Sequence, residues 1–144
     1  MTCNYFDIEH AIKIHDEIIE LSGGLKGIKN IGITESTLKH IQNDDYYPTF
    51  EDKLNHLFYC IVKNHSFNDG NKRSTIALSA YFLEINNYSQ AGINHFIKEM
   101  ENIVVAVADN KIDKQFLKEI IIYTVQGKEL SETIKLQLIN QLEK

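Results

Sequence analysis

The sequence predicts an all-α protein, a compact single-domain bundle of about six to seven helices. Three observations predict it: apolar residues recur at helical spacing through most of the chain, proline occurs once, at Pro48, and four of the seven glycines fall between Gly23 and Gly32. Residues that break helices are therefore rare elsewhere. A chain of 144 residues is long enough to bury one hydrophobic core.

Helix signals follow one another along the N-terminal half. The first helix is predicted over residues 8–21 with Asp7 as its N-cap, and a short helix over residues 35–42 with Thr34 as its cap. The polar and aromatic residues 43–48 predict a turn that forms a small flap or short hairpin before the central helix. Thr49 caps that central helix, which should end near residue 64.

The C-terminal half continues the helical pattern. A helix is predicted over residues 72–85, and Asn94 and Asp113 are predicted N-caps for helices over residues 96–108 and 114–126. Gly127 follows as a C-terminal helix stop, and Ser131 begins a last amphipathic segment to residue 143. We therefore expect one folded domain over residues 1–127 and a C-terminal amphipathic helix within residues 128–144, whose docking the pattern leaves open.

Charge and hydropathy exclude several classes of partner. Fifteen Lys and Arg against 20 Asp and Glu give a formal charge of −5, whereas non-specific nucleic-acid binding needs a strongly basic surface. No apolar run approaches the ~20 residues of a membrane-spanning helix, and no charged-then-apolar leader opens the chain. We expect no direct contact with nucleic acid or membrane, and a cytoplasmic location.

The most informative segment is residues 65–73, His-Ser-Phe-Asn-Asp-Gly-Asn-Lys-Arg, between the two strongest helices. Gly70 permits a tight turn, so that the backbone N–H groups of Gly70, Asn71 and Lys72 can point at one anion. The helix that begins there adds the positive end of its dipole. Lys72 and Arg73, the only arginine of the chain, add two charges. The segment predicts a phosphate site.

Two more side chains of this segment carry chemistry. Asp69 supplies the kind of carboxylate that a phosphate-bound Mg²⁺ takes as a ligand. His65 stands at the mouth of the predicted site, and an imidazole is suited to accepting a proton from a hydroxyl near neutral pH. Phe67 is predicted to anchor the loop in the core.

The pattern His-x-Phe-x-Asp-Gly-Asn-Lys-Arg resembles the signature of the Fic/Doc (death-on-curing) family. Seven fixed positions arise by chance with odds on the order of 10⁻⁹ per start site at equal residue usage. The resemblance to the Doc-type toxin branch extends to Ile-His-Asp at residues 14–16 and Gly-Gly-Leu-Lys-Gly at residues 23–27, and covers roughly residues 5–126. It implies a Fic/Doc-like helical catalytic domain.

The resemblance also implies roles for individual residues. His65 matches the catalytic base, and Asp69 matches the acidic residue that holds Mg²⁺. A flap that aligns the target peptide would fall near residues 44–49. The positions that match nucleotide binding are Lys63, Gly70, Asn71, Lys72 and Arg73.

The activity implied by the Doc-type resemblance is transfer of the γ-phosphate of ATP to a Ser or Thr hydroxyl of a target protein, a translation factor such as elongation factor Tu. Many family members that transfer AMP have Gly at the position of Lys72 and a second Arg at the position of Ile76. AMP transfer to protein therefore remains the alternative. No Ser or Thr is followed by Glu four residues later, so the self-inhibitory motif of many Fic proteins is absent. A separate antitoxin protein is the expected partner.

Two other classes of function remain open. His15-Asp16 is the dipeptide of metal-dependent HD phosphohydrolases, with His40, His56 and His95 available as further ligands. His15 falls on the inward stripe of the first predicted helix, which favours a hydrogen-bonded core histidine. The second class is a catalytically silent phosphate-binding module, against which the complete motif argues.

Overall fold

The computed structural model describes residues 2–143, and within that range all regular secondary structure is helical, which confirms the all-α prediction. The helices there are α1 (Ile8–Ser22), α2 (Ile31–His40), α3 (Phe50–Lys63), α4 (Asn71–Ile85), α5 (Gln90–Ala108), α6 (Lys114–Val125) and α7 (Glu132–Leu142).

Local capping signals determine where most helices begin. The side chains of Asp7, Thr49, Asp113 and Ser131 each accept a hydrogen bond from the backbone N–H three residues further on. At α3 the Asp52 carboxylate also accepts from the backbone N–H of Thr49, which completes a capping box. The N-cap predictions at Asp7, Thr49 and Asp113 are confirmed, and Ser131 starts the last helix as expected.

Helix α2 begins earlier than predicted. Its first residue is Ile31 and its N-cap is Asn30, so Thr34 lies inside the helix rather than before it. The chain reaches this point already held by tertiary contacts, because the backbone N–H groups of Lys29 and Asn30 both donate to the carbonyl of Ser66, at 2.9 and 3.3 Å. A contact between segments distant in sequence therefore sets this helix start.

Helix α5 also begins earlier than predicted. The hydroxyl of Ser89 accepts from the backbone N–H of Gly92 at 3.0 Å, which makes Ser89 the N-cap and Gln90 the first helical residue. The predicted cap, Asn94, lies one turn inside, where its side-chain oxygen accepts from the Gln90 side chain at 2.9 Å. Both serine and asparagine favour N-caps, and the serine is the one used.

The core is centred on α3, which packs against α2, α4, α5 and α6. Leu54, Leu57 and Phe58 of this helix are fully buried. Burial of a side chain of this size contributes about 1.5–3 kcal/mol. Since α4 packs against α3 as well as against α1 and α5, the two ends of the segment between α3 and α4 are fixed by the core. We call this segment, residues 64–70, the motif loop.

Residues 43–48 form turns before α3, but they lie far from the motif loop. The buried Lys53 donates from Nζ to the Asp44 carboxylate at 2.8 Å and to the Ile41 carbonyl at 2.7 Å, which holds the turn against the start of α3. The motif loop follows the other end of α3, and a helix of 14 residues is about 21 Å long. The segment that contacts the motif loop is instead residues 23–30, which we call the glycine segment.

Helix α7 lies against the rest of the chain by a narrow face. Ile134 is buried and Leu138 packs against the core, whereas Leu136 and Ile139 are 64% and 55% exposed. The Lys111 ammonium donates to the Leu142 carbonyl at 3.1 Å near the end of the helix. The domain boundary at residue 127 stays a prediction. No helix within residues 2–143 combines the length and the apolar character needed to cross a bilayer.

A partly buried histidine, His56, makes the fold sensitive to acid. Burial, together with the nearby charges of Lys114 and His40, lowers the pKa of His56 from 6.5 to about 4. Its neutral Nδ1 accepts from the Lys114 ammonium at 2.7 Å. A group whose folded-state pKa is depressed binds its proton more readily in the unfolded chain, so stability is lost as pH falls from about 6.5 toward about 4.

We expect that loss to reach about 1–2 kcal/mol for the wild-type protein, because solvent screens a group that is only partly buried. His56→Gln keeps an acceptor for Lys114 and does not titrate, so its free energy of unfolding should fall less between pH 7 and pH 4.5. Urea unfolding at both pH values checks this. Equal losses in the two proteins would show that His56 does not cause the acid sensitivity.

Candidate active site

The motif loop is held on one side by the glycine segment. Phe67 and Ile28 form an isolated antiparallel β-bridge, and Phe67 itself is buried, as predicted for a loop anchor. The backbone N–H of Asn68 donates to the Gly27 carbonyl at 3.2 Å, and the Asn68 side chain donates to the Lys26 carbonyl at 3.2 Å. The loop is therefore supported by backbone contacts along most of its length.

Asn71 holds the other side of the motif loop. Its side-chain oxygen accepts from the Phe67 N–H at 2.9 Å, and its side-chain nitrogen donates to the Phe67 carbonyl at 3.0 Å. Both polar atoms of the carboxamide are thus engaged within the protein. Asn71 can offer a phosphate its backbone N–H, while its side chain stabilises the loop.

His65 has a backbone conformation that directs it away from the core. Its φ is 47°, in the left-handed region that non-glycine residues adopt rarely. Such a conformation persists where the surrounding structure determines it. The side chain is exposed, and none of the hydrogen bonds of residues 2–143 involves the imidazole. The ring is therefore free to meet a substrate hydroxyl.

Asp69 is oriented by two backbone N–H groups. Its carboxylate accepts from Gly70 at 2.8 Å through Oδ1 and from Leu25 at 3.3 Å through Oδ2. These hydrogen bonds, from Gly70 first and then from Leu25, lower the pKa of Asp69, with a further contribution from the charge of Arg73. The exposed carboxylate is therefore ionised at neutral pH and keeps lone pairs for a cation.

A glycine next to Asp69 makes room for this carboxylate. Gly24 has a φ of 123°, and a Cβ built on it would lie 2.6 Å from Asp69 Oδ2. A single exposed carboxylate with open surroundings fits Mg²⁺, which takes one or two carboxylates and completes its shell with phosphate oxygens and water. The residues present thus fit the ion that the sequence predicts.

Arg73 connects the start of α4 to the end of α1. Its guanidinium donates to the Ser22 hydroxyl and to the Gly23 carbonyl. A guanidinium has five N–H donors, so donors remain for a phosphate after these contacts. The arginine is held in place by α1 before any ligand arrives.

The N-terminus of α4 carries unused donors. Its N-cap is Gly70, which has no side chain to accept from the first turn. Within the described residues, the backbone N–H groups of Asn71, Lys72 and Arg73 have no acceptor, whereas the Gly70 N–H, predicted to face the anion, is used by Asp69. The exposed Lys72 is free of ion pairs to the described part of the chain. Three N–H groups and two cations therefore converge on one helix end.

These groups line a single cavity of about 400 Å³. Ala108, the last residue of α5, also lines the cavity. Of the predicted site residues, the cavity brings together His65, Asp69, Gly70, Asn71, Lys72 and Arg73.

Lys63 does not line this cavity. Its ammonium donates to the Val107 carbonyl at 3.4 Å and to the Asn110 side chain, at the carbonyl end of α5. That helix end carries partial negative charge, which favours a cation there. The predicted role of Lys63 in nucleotide binding therefore has no support from the lining of the cavity.

A family model described as Fic/DOC family matches residues 5–83, more than half of the chain, and this range contains the whole motif. The chain belongs to the Fic/DOC family. Membership supports a general activity for this Fic/DOC protein, the transfer of a phosphate-containing group from a nucleotide to a protein. A search of curated proteins found no match. The match ends within α4, short of residue 126, to which the sequence resemblance extends.

Within residues 2–143, the structure does not bring together the metal ligands that a metal-dependent phosphohydrolase would need. His15 is fully buried, and both of its ring nitrogens lie within hydrogen-bond distance of oxygen atoms of the Fic/DOC protein itself. The rings of His40 and His56 lie 6.0 Å apart at a different place in the fold. In the part of the chain that the structure describes, no three side chains of His, Cys, Asp or Glu are grouped to hold a metal ion.

Several contributors to the site were not predicted from the sequence. Ser22, Gly23, Gly24 and Leu25 contact Arg73 or Asp69, although they lie more than forty residues earlier in the chain. The cluster of four glycines was the available signal, because glycine marks places where backbone approaches another group closely. Which group the glycines approach follows only from the tertiary structure.

Gly70 is required at the start of α4 for two reasons. Its φ is 69°, and a Cβ there would lie 2.8 Å from Ile19 Cδ1 and 3.3 Å from the Arg73 guanidinium. We expect Gly70→Ala to lower the free energy of unfolding by about 1–2 kcal/mol. Gly32→Ala is the matched control, since Gly32 lies in α2 with no atom within 4 Å of its built Cβ, and it should stabilise by about 0.5–1 kcal/mol. Chemical denaturation measures both; equal effects would contradict the assignment.

Proposed function

We propose that this Fic/DOC protein transfers the γ-phosphate of ATP to a Ser or Thr hydroxyl of a target protein, as a Doc-type toxin. The observation that supports it best is the joint presence, in one cavity, of an unrestrained His65 and of the cations Lys72 and Arg73 at a helix N-terminus with free N–H groups. Such a helix end binds phosphate. The imidazole provides the base that a neutral hydroxyl needs.

Each of these groups has its own role in the transfer. His65 accepts the proton of the target hydroxyl while the hydroxyl oxygen forms a bond to the γ-phosphorus. The bond between that phosphorus and the β–γ bridging oxygen breaks, and ADP leaves with the electron pair. Lys72, Arg73 and the first N–H groups of α4 stabilise the negative charge that this step redistributes.

Asp69 is the residue that would hold Mg²⁺ in this site. Its carboxylate is ionised and directed by the N–H groups of Gly70 and Leu25. When bound, the ion neutralises charge on the phosphates of the nucleotide. Positioning of the hydroxyl and the proton transfer are carried out by the protein.

Lys72 supports phosphate transfer over AMP transfer. A glycine at this position would leave space for phosphates to extend past the helix start, whereas Lys72 occupies that space and adds a charge. The resemblance to Doc-type toxins then implies that the nucleotide binds in the opposite orientation to that in AMP-transferring members, with its terminal phosphate toward His65. Ile76, where many AMP-transferring members have a second arginine, packs against the core. Without a second arginine at that position, Lys72 and Arg73 are the two side chains that can bind adjacent phosphates.

The proposed partners follow from the same branch of the family. The target is a protein with an accessible Ser or Thr hydroxyl, a translation factor such as elongation factor Tu. The proposed restraint is a separate antitoxin protein whose segment covers the nucleotide site, in a toxin–antitoxin pair in the cytoplasm.

The test uses ATP labelled either at the γ-phosphate or at the α-phosphate. Purified protein is incubated with a cell lysate and each ATP, with His65→Ala as the control for other kinases. Label that enters a protein from the γ-position alone, and only with the wild-type chain, supports the proposal. Label from the α-position would establish AMP transfer instead, and no His65-dependent label from either position would contradict transfer altogether.

A further inference from the structure

His15 is a buried polar residue on an otherwise aliphatic helix face. Its exposed fraction is 0%, and the other buried residues of α1 are Ile8, Ala11 and Ile19. Burying an imidazole is unfavourable unless its nitrogens are hydrogen-bonded. Here Nε2 lies 2.6 Å from the backbone carbonyl oxygen of Asp69, and Nδ1 lies 3.1 Å from Asp16 Oδ1.

Aromatic stacking fixes the His15 ring in addition to the contacts of its two nitrogens. The His15 imidazole stacks on the Phe67 ring with centroids 4.0 Å apart and an interplanar angle of 5°. Because the carbonyl oxygen of Asp69 can only accept, Nε2–H is the donor in that contact. The histidine therefore contacts the motif loop at two places, Phe67 and Asp69, from a helix in the core.

Asp16 extends the same connection to the glycine segment. Its Oδ1, beside His15 Nδ1, also accepts from the Gly27 N–H at 3.2 Å. The Asp69 carboxylate in turn accepts from Leu25 of that segment. The two neighbouring residues of α1 thus hold both segments that determine where the Asp69 carboxylate lies.

We infer that His15 is a positioning residue for Asp69: its Nε2–H fixes the backbone carbonyl of Asp69, and thereby the direction of the carboxylate toward the cation of the nucleotide. This inference rests on the proposed function. Groups that orient a metal ligand typically change metal affinity by about 10–100-fold when removed. The contact does more than satisfy a buried nitrogen, because its acceptor is the backbone of the residue whose carboxylate would hold the cation.

The test compares two amide replacements. His15→Gln places its side-chain N–H near the position of Nε2, within reach of the Asp69 carbonyl, whereas the shorter His15→Asn reaches only the position of Nδ1. His10→Asn is the matched control, since His10 is also on α1 and also stacks on an aromatic ring, that of Tyr81 at 4.5 Å, away from the motif loop. Where His15→Asn does not fold, His15→Phe, which keeps a ring and lacks the donor, replaces it.

Two readouts are measured on folded protein. The first is hydrogen exchange at the Gly70 and Leu25 amides, which the Asp69 carboxylate protects without any ligand. The second is the Mg²⁺ concentration that half-saturates binding of a fluorescent ATP analogue. We expect His15→Asn to speed exchange at both amides and to raise that concentration about tenfold. His15→Gln and His10→Asn should stay within about threefold of wild type.

Equal behaviour of the Gln and Asn variants in both readouts would overturn the positioning role. If wild-type protein binds and transfers nothing while the exchange pattern follows the expectation, the proposed function fails and the link between His15 and Asp69 stands. If wild-type protein transfers phosphate while neither readout separates the variants, the proposed function stands and the inference fails.

Discussion

His65→Ala is expected to slow transfer by about 10²–10⁴-fold while leaving the fold and nucleotide binding in place. The imidazole is exposed and makes no hydrogen bond to the described residues, so its removal leaves no buried group unpaired. Alanine at the same φ of 47° carries the same backbone strain as histidine, so stability should change by less than about 1 kcal/mol.

The measurement is the single-turnover rate of label transfer, together with thermal unfolding and the dissociation constant for ATP. His10→Ala is the control, because His10 lies on α1 beside Tyr81 and lines a different cavity. Retention of wild-type turnover by His65→Ala would remove the imidazole from the reaction. A large loss of ATP affinity in the same variant would instead make it a binding group.

Gly24→Ala is expected to impair the site mainly through Asp69. The new Cβ would lie 2.6 Å from Asp69 Oδ2, so the carboxylate must turn away from the N–H of Leu25. We expect the Mg²⁺ concentration for half-maximal transfer to rise by about 10–100-fold. Saturating Mg²⁺ should restore part of the rate, because the carboxylate is displaced rather than removed.

Gly23→Ala is the matched control for this prediction. Gly23 also has a positive φ, 85°, but no atom lies within 4 Å of its built Cβ. Both variants therefore introduce backbone strain into neighbouring positions, and only Gly24→Ala crowds Asp69. A similar rise in the Mg²⁺ requirement in both variants would show that strain in the glycine segment, and not the carboxylate, is responsible.

The features that local sequence predicts well are those that local chemistry determines. The N-caps at Asp7, Thr49 and Asp113 satisfy N–H groups three residues away, and the motif loop is contiguous in sequence. Because α3 and α4 flank that loop, the six predicted site residues that line the cavity could be found within residues 65–73 alone.

The features that sequence missed depend on distant contacts. The start of α2 is set by hydrogen bonds to Ser66, and the segment against the motif loop is the glycine segment rather than residues 44–49. Residues 44–49 precede the start of α3, whereas the motif loop follows its end. The length of the helix keeps residues 44–49 from contacting the motif loop. The sequence favours a core histidine at His15, which its burial supports, but its partner Asp69 lies 54 residues away and follows only from the tertiary structure.

The central claim is that the helix end at Asn71 holds the phosphates of a nucleotide. The most direct measurement is an NMR titration of the backbone amides with ATP and Mg²⁺. The largest shifts are predicted at Asn71, Lys72 and Arg73, whose N–H groups are free at the start of α4. Unchanged amides there at millimolar ATP, or shifts confined to the separate cavity of about 460 Å³ beside Phe6 and Tyr81, would contradict the claim.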